Sequence, residues 1–373
     1  MSDKAFMQQA LQLAKRGRFT TSPNPNVGCV IVNAGEVVGQ GWHQKAGEGH
    51  AEVNALREAG DKARGATAYV TLEPCSHHGR TPPCCGALIA AGVSRVVVAM
   101  QDPNPQVAGR GLHRLRQAGI DVEFGLLAEE AEALNRGFLK RMRTGFPWVQ
   151  LKMAASLDGR TAMANGESQW ITSPAARQDV QAFRAEASAI LTTSKTVLAD
   201  NPSMNVRWSE LTPEIQTLIG GEELLRQPIR VVLDRHRQVE EDQALFAVPD
   251  AQTWRVVTEP TEGDSTRWTK TLRIPEHQDN IDLVALLMVL GKQDINSVWV
   301  EAGATLAGQL LQAGVVDELI LYMAPTLMGT DARGLCVLPG LEHLAQALRF
   351  EIQDIQQVGP DIRIILQPIS VPA

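Results

Sequence analysis

His50-Ala51-Glu52, followed after one further strand by Pro74-Cys75-Ser76-His77-His78-Gly79-Arg80-Thr81-Pro82-Pro83-Cys84, decides how this chain is read. His50, Cys75 and Cys84 are soft or borderline donors. Three of them suit tetrahedral zinc and leave the fourth position to water, the arrangement of a catalytic rather than a structural site. Bound zinc lowers the pKa of such a water towards neutrality. Glu52, two residues past the histidine at a helix start, cannot easily ligate the same ion, but it can face the open position and move protons as general acid and base. A structural site would need a fourth protein ligand from His77, His78 or Cys85, and would leave the placement of Glu52 without a use. Cys85 adjoins Cys84 and either can ligate; Cys85 otherwise reads as a small buried thiol, and Cys29 and Cys336 as packing residues.

His-x-Glu followed by Pro-Cys and a second cysteine is the signature of zinc-dependent nucleobase deaminases. The second cysteine usually follows after two residues, whereas eight separate Cys75 from Cys84 here. The enlarged loop can bring polar and cationic groups over the mouth of a pocket. Upstream, Pro23-Asn24-Pro25-Asn26-Val27-Gly28 forms a proline-punctuated turn into the first strand. There the Asn24 amide can read the edge of a planar ring, or simply make a turn.

Working outward, Phe6, Ala10, Leu13 and Ala14 mark one face of a helix from Asp3 to Arg16. Strands Val27–Val32 and Val37–Trp42 flank a glycine-containing hairpin loop. A helix to Ala59, a strand over 66–71, a helix Cys84–Ala91, the buried strand Val96–Ala99 and a helix-strand alternation over 112–124 complete a sheet with helices on its faces. One helix is expected from Glu129 to Met142, ending at Thr144-Gly145-Phe146-Pro147, where glycine and proline break the period. The boundary falls there and divides the chain into domains 1–145 and 146–373. The second half alternates again: strand Trp148–Met153, helix Pro174–Arg184, strands Ala189–Thr192 and Ile229–Leu233, helix Ile281–Leu290, strand Val298–Glu301 and helix Thr305–Gln312. Late strands Glu318–Met323 and Ile362–Leu366, with one short helical stretch between them, suggest an antiparallel finish to a mixed sheet.

A chain of 373 residues with 44% hydrophobic and 21% charged residues is globular and long enough for two cores. The formal charge of −7 and the lack of any long basic run argue against a nucleic-acid partner, because tracking a phosphate backbone requires a clustered positive field. That disfavours an RNA- or DNA-editing deaminase. A zinc-stabilised scaffold has no use for Glu52. No run reaches membrane-spanning length. Five cysteines without an export-type start fit the cytoplasm. The deaminase signature points to a small amino-substituted ring as substrate, and a homo-oligomer is compatible with it.

Hydride chemistry in the second half would need a nicotinamide site, yet no complete Gly-x-Gly-x-x-Gly is present, so a Rossmann half is not expected. Glu301-Ala302-Gly303-Ala304-Thr305 instead joins a strand to a helix and offers backbone N–H groups to a phosphate.

The segment Thr21–Val30, His50-Ala51-Glu52 and the long Cys75–Cys84 loop closely resemble the deaminase half of the bifunctional deaminase/reductase family of riboflavin biosynthesis. Leu151-Lys152-Met153-Ala154-Ala155-Ser156-Leu157-Asp158-Gly159-Arg160, Ser168-Gln169-Trp170-Ile171-Thr172, Val197-Leu198-Ala199-Asp200-Asn201-Pro202 and Val300-Glu301-Ala302-Gly303 resemble its reductase half. The resemblance covers nearly the whole chain in order. It implies an α/β protein: a cytidine-deaminase-like αβα layer domain followed by a dihydrofolate-reductase-like mixed-sheet domain. It also implies two activities, removal of the 2-amino group of 2,5-diamino-6-(5-phosphoribosylamino)pyrimidin-4(3H)-one, then NADPH-dependent reduction of the product's ribosyl group to ribityl.

By the same resemblance His50, Cys75 and Cys84 hold one zinc per chain, Glu52 transfers protons, and Asn24 orients the ring, with His43, His77 and Arg80 as further substrate contacts. Ala154, Trp170, Thr196, Asp200 and the Gly303-Ala304-Thr305 turn are implied for NADPH, and Ser168, Arg184, Arg207 and Glu301 for substrate. Arg184 and Arg207 suit phosphate forks. Lys152 and Asp200 are expected near the reacting ribose carbon, Lys152 polarising an oxygen and Asp200 positioning cofactor or donating a proton. Many relatives carry serine where Arg235 follows Asp234, which puts a cofactor contact there in doubt. The stretch 208–227 reads as a surface excursion.

Overall fold

In the computed structural model the described residues are 2–76, 83–104, 108–259 and 267–369. They form two compact units, Met1–Gly145 with Pro213–Arg226, and Phe146–Thr212 with Gln227–Ala373. The expected second domain ran unbroken from 146 to 373; Pro213–Arg226, within the stretch read as an excursion, groups with the first unit instead.

The first unit begins with α1 (Asp3–Lys15), whose N-cap Ser2 accepts from the Ala5 N–H. Strands β1 (Gly28–Asn33) and β2 (Glu36–Trp42) form a hairpin through a two-residue turn, Ala34 and Gly35, both with positive φ. Then follow α2 (Ala51–Ala59), β3 (Thr67–Val70), α3 (Cys84–Ala91), β4 (Arg95–Val98), α4 (Arg110–Gln117), β5 (Asp121–Phe124), α5 (Ala128–Leu134) and α6 (Arg136–Thr144). The sheet order is β2-β1-β3-β4-β5; β1 is antiparallel to both neighbours and β3, β4 and β5 are parallel. Side-chain alternation sends Cys29 and Ile31 to a core with Ala51, Ala55, Val70 and Leu88, and Val30 and Val32 to the opposite core with Phe6, Met7 and Ala10. Helices therefore cover both faces in three layers.

Two glycines seat α2. A Cβ on Gly41 would stand 2.5 Å from the Ala51 carbonyl oxygen, and one on Gly39 would stand 2.3 Å from that of Ala55. Only a bare backbone lets α2 lie this close to β2, which fixes its first turn, where His50 and Glu52 reside. The single helix expected over 129–142 is divided at Asn135. Its side-chain oxygen accepts from the Asn26 N–H and its amide donates to the Asn26 carbonyl, so the residue serves the turn after Asn24 rather than helical continuity.

The second unit contains β6 (Trp148–Ser156), β7 (Arg160–Ala162), α7 (Pro174–Glu186), β8 (Ala189–Thr193) and α8 (Ser194–Asp200). The helix α9 (Pro213–Ile219) belongs to the first unit. The second unit resumes with β9 (Ile229–Leu233), β10 (Thr253–Val257), β11 (Lys270–Arg273), β12 (Glu276–His277), β13 (Asn280–Ile281), α10 (Leu283–Lys292), β14 (Ser297–Glu301), α11 (Ala304–Gln312), β15 (Glu318–Ala324), β16 (Arg333–Gly334), β17 (Phe350–Val358) and β18 (Asp361–Pro368). Nine strands make the main sheet, in the order β11-β10-β9-β8-β14-β6-β15-β18-β17. All its pairs are parallel except those of β18 with β15 and β17, so the expected antiparallel finish is present.

The helix expected from Ile281 begins at Leu283, because Asp282 caps it by accepting from the Ala285 N–H. Strand β17 escapes the sequence pattern: as an edge strand it is largely exposed and carries mostly polar residues, so pairing with β18 rather than burial orders it. Val298 and Val300 face the core shared with Leu286 and Leu310, while Trp299 faces the one shared with Val180, Ile190 and Tyr322.

Candidate functional site

In the first unit the donor atoms of His50, Cys75 and Cys84 lie within 4.8 Å of one another. His50 Nδ1 stands 3.1 Å from Cys84 Sγ and 3.6 Å from Cys75 Sγ. Tetrahedral zinc with ordinary Zn–N and Zn–S bonds separates such ligands by about 3.6 Å, so the donor set fits that ion. The Cys84 N–H, at the start of α3, points at Cys75 Sγ from 3.3 Å. The Cys84 thiol and this backbone N–H pull the Cys75 thiol down to about 4, while the Cys84 thiol is pushed up by its bond to Cys75. Of the two thiols, Cys75 is thus the one whose ionised form its neighbours favour. Cys85 is buried and its N–H donates to the Cys75 carbonyl, which makes it a packing residue beside the ligands.

Glu52 is 3% exposed, and burial raises its carboxyl above the usual range, as a proton carrier requires. His43, also buried, lies edge-on to His50 with ring centroids 5.3 Å apart. Asn24 Nδ2 meets His43 Nε2 at 3.0 Å and His43 Nδ1 faces the Gly49 carbonyl oxygen. Asn24, His43, His50 and Glu52 therefore belong to one cluster. His77 and Arg80 lie outside the described residues.

Sequence reading missed Glu73. Its buried carboxylate accepts from the backbone N–H groups of Asp102, Gly109, Gly111 and Leu112, tying the strand end before Pro74-Cys75 to the start of α4. An acid directly before Pro-Cys was the available signal.

In the second unit Lys152 and Glu301 are register partners on the parallel strands β6 and β14. Arg184 of α7 forks onto Glu301, Nε to Oε1 at 2.6 Å and Nη2 to Oε2 at 2.7 Å, and its Nη1 donates to the Asn205 carbonyl. The fork read as a phosphate clamp is thus engaged by a carboxylate. The Trp299 indole N–H also donates to Glu301 Oε1. Burial tends to raise the Glu301 carboxyl, but Arg184, Lys152 and Trp299 hold it at about 2. Burial lowers the Lys152 ammonium, with Glu301 opposing. Ala154, two residues along β6, shares the Lys152 face.

Asp200, at the end of α8, accepts from Gln169 Nε2 at 3.0 Å, and among the described residues no hydrogen bond or ion pair joins it to Lys152. Trp170 is exposed beneath the Arg177 guanidinium, 4.4 Å from its ring centre, and Ser168 is half-buried. The Thr196 N–H is capped by Thr193 Oγ1. Gly303 precedes α11 without a side-chain cap, and a Cβ there would meet nothing within 4 Å, so there is room beside Gly303 at the start of the helix. Arg235 pairs with Glu276 at 2.8 Å. Arg207, read as a second phosphate fork, is bound by Glu210, which the sequence did not single out.

Residues 1–100 match the model of the cytidine and deoxycytidylate deaminase zinc-binding region, and residues 147–364 match that of the RibD C-terminal domain. The riboflavin biosynthesis protein RibD of Escherichia coli strain K12 is 66% identical over 365 residues, 97% of this chain and 98% of the relative. The solved structure of Acinetobacter baumannii RibD, form 1, is 49% identical and superposes with a TM-score of 0.91 over 99% of both chains. The Thermotoga maritima protein described as a diaminohydroxyphosphoribosylaminopyrimidine deaminase/5-amino-6-(5-phosphoribosylamino)uracil reductase is 31% identical, with a TM-score of 0.84 over 98% of this chain and 99% of its own. With a zinc-type deaminase cluster in one unit, a reductase-type sheet in the other and relatives matched end to end, the chain belongs to the RibD family of bifunctional deaminase/reductases of riboflavin biosynthesis.

Proposed function

We propose that domain 1–145 hydrolyses the 2-amino group of 2,5-diamino-6-(5-phosphoribosylamino)pyrimidin-4(3H)-one. Domain 146–373, apart from the segment that groups with the first unit, reduces the ribosyl group of the resulting 5-amino-6-(5-phosphoribosylamino)uracil to ribityl. The carrying observation is the pairing, in one chain, of a buried Glu52 beside the His50, Cys75 and Cys84 donors with a half-buried Lys152 beside Glu301. The name of the T. maritima relative supports the substrates.

One zinc per chain, held by His50, Cys75 and Cys84, supplies Lewis-acid activation of water. Glu52 takes the water's proton on its carboxylate and passes protons to the ring nitrogen and the departing amine, so that ammonia leaves. Asn24 and His43 hold the substrate, Asn24 at the ring edge, with His77 and Arg80 for its ribose or phosphate.

NADPH supplies the hydride in the second unit. The uncapped turn Gly303-Ala304-Thr305 suits its phosphate, with Ala154, Trp170 and Thr196 as further contacts. Lys152 polarises the ribose oxygen from Nζ, and Asp200, held by Gln169, positions the cofactor or donates the proton. Ser168, Arg184, Arg207 and Glu301 hold the ribotide. Among the described residues no helix is long and apolar enough to cross a membrane, and free cysteines at the proposed zinc cluster favour a cytoplasmic setting. The direct test supplies the diaminopyrimidine ribotide and follows ammonia release together with NADPH oxidation. Both signals are expected, and loss of either at full zinc loading overturns the corresponding half.

A further inference from the structure

Arg177, Gln181 and Arg184 follow one another at four and three residues along α7, one stripe of the helix. The stripe organises the chain opposite: Arg184 Nη1 donates to the Asn205 carbonyl and Gln181 Oε1 accepts from the Arg207 N–H at 3.0 Å. The Arg207 side chain then forks onto Glu210, Nε to Oε1 at 2.5 Å and Nη2 to Oε2 at 2.8 Å. Arg207 holds the Glu210 carboxyl below its ordinary value, and Arg184 and Arg177 are close enough to add to that effect. Arg207 alone forks onto Glu210, while Arg184, on the same helix stripe, forks onto a second carboxylate, Glu301. Side chains of Arg207 and Glu210 are 42% and 37% exposed, so the pair is open to solvent and weakly held.

Planar bidentate forks converging on an oxyanion are the chemistry that recognises a phosphate. We propose that Glu210 occupies the phosphate position of the reductase unit, keeping the Arg207 fork assembled until the phosphate of the ribotide displaces it. This rests on the reading above that the unit takes a phosphoribosyl substrate. The exchange replaces one fork partner with another. A phosphate dianion carries twice the charge of the carboxylate and can displace it, whereas a monoanion such as chloride gains nothing over Glu210 and is excluded. Glu210 is therefore a specificity-determining residue, and it explains a part of the 208–227 stretch that the sequence left without a role.

The test compares the full-length zinc-loaded protein with Glu210→Gln, Arg207→Ala and the double variant, titrating inorganic phosphate by calorimetry and as an inhibitor of NADPH oxidation. The component of phosphate binding that Arg207→Ala abolishes should tighten at least about fivefold in Glu210→Gln, and chloride should begin to compete there. In the double variant the gain should vanish. Unchanged or weaker phosphate binding in Glu210→Gln, or no component sensitive to Arg207→Ala, overturns the inference. Calorimetry reads phosphate without turnover, so a protein that binds phosphate as described but never oxidises NADPH with the ribotide overturns the functional reading alone.

Discussion

Trp299 donates its indole N–H to Oε1 of Glu301 at 2.7 Å from two residues earlier on the same strand. The ring is fully buried and stacks on Phe183 with centroids 4.9 Å apart. Glu301 thus receives one donor from its own strand and two from Arg184, and its orientation is fixed before any ligand arrives. Trp299→Phe keeps an aromatic ring in the stack and removes one hydrogen bond to a charged acceptor, worth about 1.5–3 kcal/mol. With the two Arg184 donors still holding Glu301, only part of that reaches substrate binding, so the KM for the ribotide should rise about three- to tenfold, with the KM for NADPH nearly unchanged. Steady-state kinetics with each substrate varied in turn is the check, and equal effects on both would point to general loosening of the sheet.

Glu52→Gln preserves size and removes the carboxylate that accepts the proton. Deamination should fall at least about a hundredfold. Zinc, measured by elemental analysis, should remain, because the donor set is His50, Cys75 and Cys84. Supplied with already deaminated ribotide, the variant should oxidise NADPH at close to the parent rate. Loss of zinc would assign Glu52 to the metal instead.

Lys152 carries a pH signature. Burial disfavours its charged form, lowering its pKa from the ordinary 10.5, and the neighbouring Arg184 adds to this while Glu301 opposes it. The ammonium is therefore lost earlier as pH rises, and kcat/KM for reduction should decline along an alkaline limb below 10.5. In Lys152→Ala the residual rate should be at least about a hundredfold lower and lack that limb. A limb of the same position in the variant would assign it to another group.

Glu301 predicts stability against acid. Its folded value of about 2 lies below the ordinary 4.5, so its contribution is fully present above about 4.5 and is lost as pH falls towards 2. The amount is of order 2–3 kcal/mol. Denaturant unfolding of the reductase transition should show the gap between wild type and Glu301→Gln narrowing over that window. A constant gap would mean that Arg184 and Trp299 do not stabilise the ionised form.

Much of the deaminase site was legible because its parts are local. His50 and Glu52 share one helix start, and Cys75 and Cys84 bracket one loop, so spacing alone assembled a ligand set whose geometry fits zinc. The strand of Lys152 and the helix of Arg184 were also readable from periodicity. The break at Asn135 was not, since it depends on the backbone of Asn26 more than a hundred residues earlier. Glu73 stayed hidden for the same reason, its four partners being backbone groups from another loop.

By itself, then, the sequence determined the His50, Cys75 and Cys84 donor set with Glu52 beside it, the alternation of strands and helices and the antiparallel end of the second sheet. Each of these is set by side-chain type and by periods that repeat within a few residues. Only the tertiary structure decided that Lys152 stands beside Glu301, that the Arg184 fork serves a carboxylate, that Glu210 binds Arg207, and that Pro213–Arg226 belongs to the first unit. Strand register and helix placement set those pairings. Both follow from how whole faces pack against one another, and no short window of sequence contains that information.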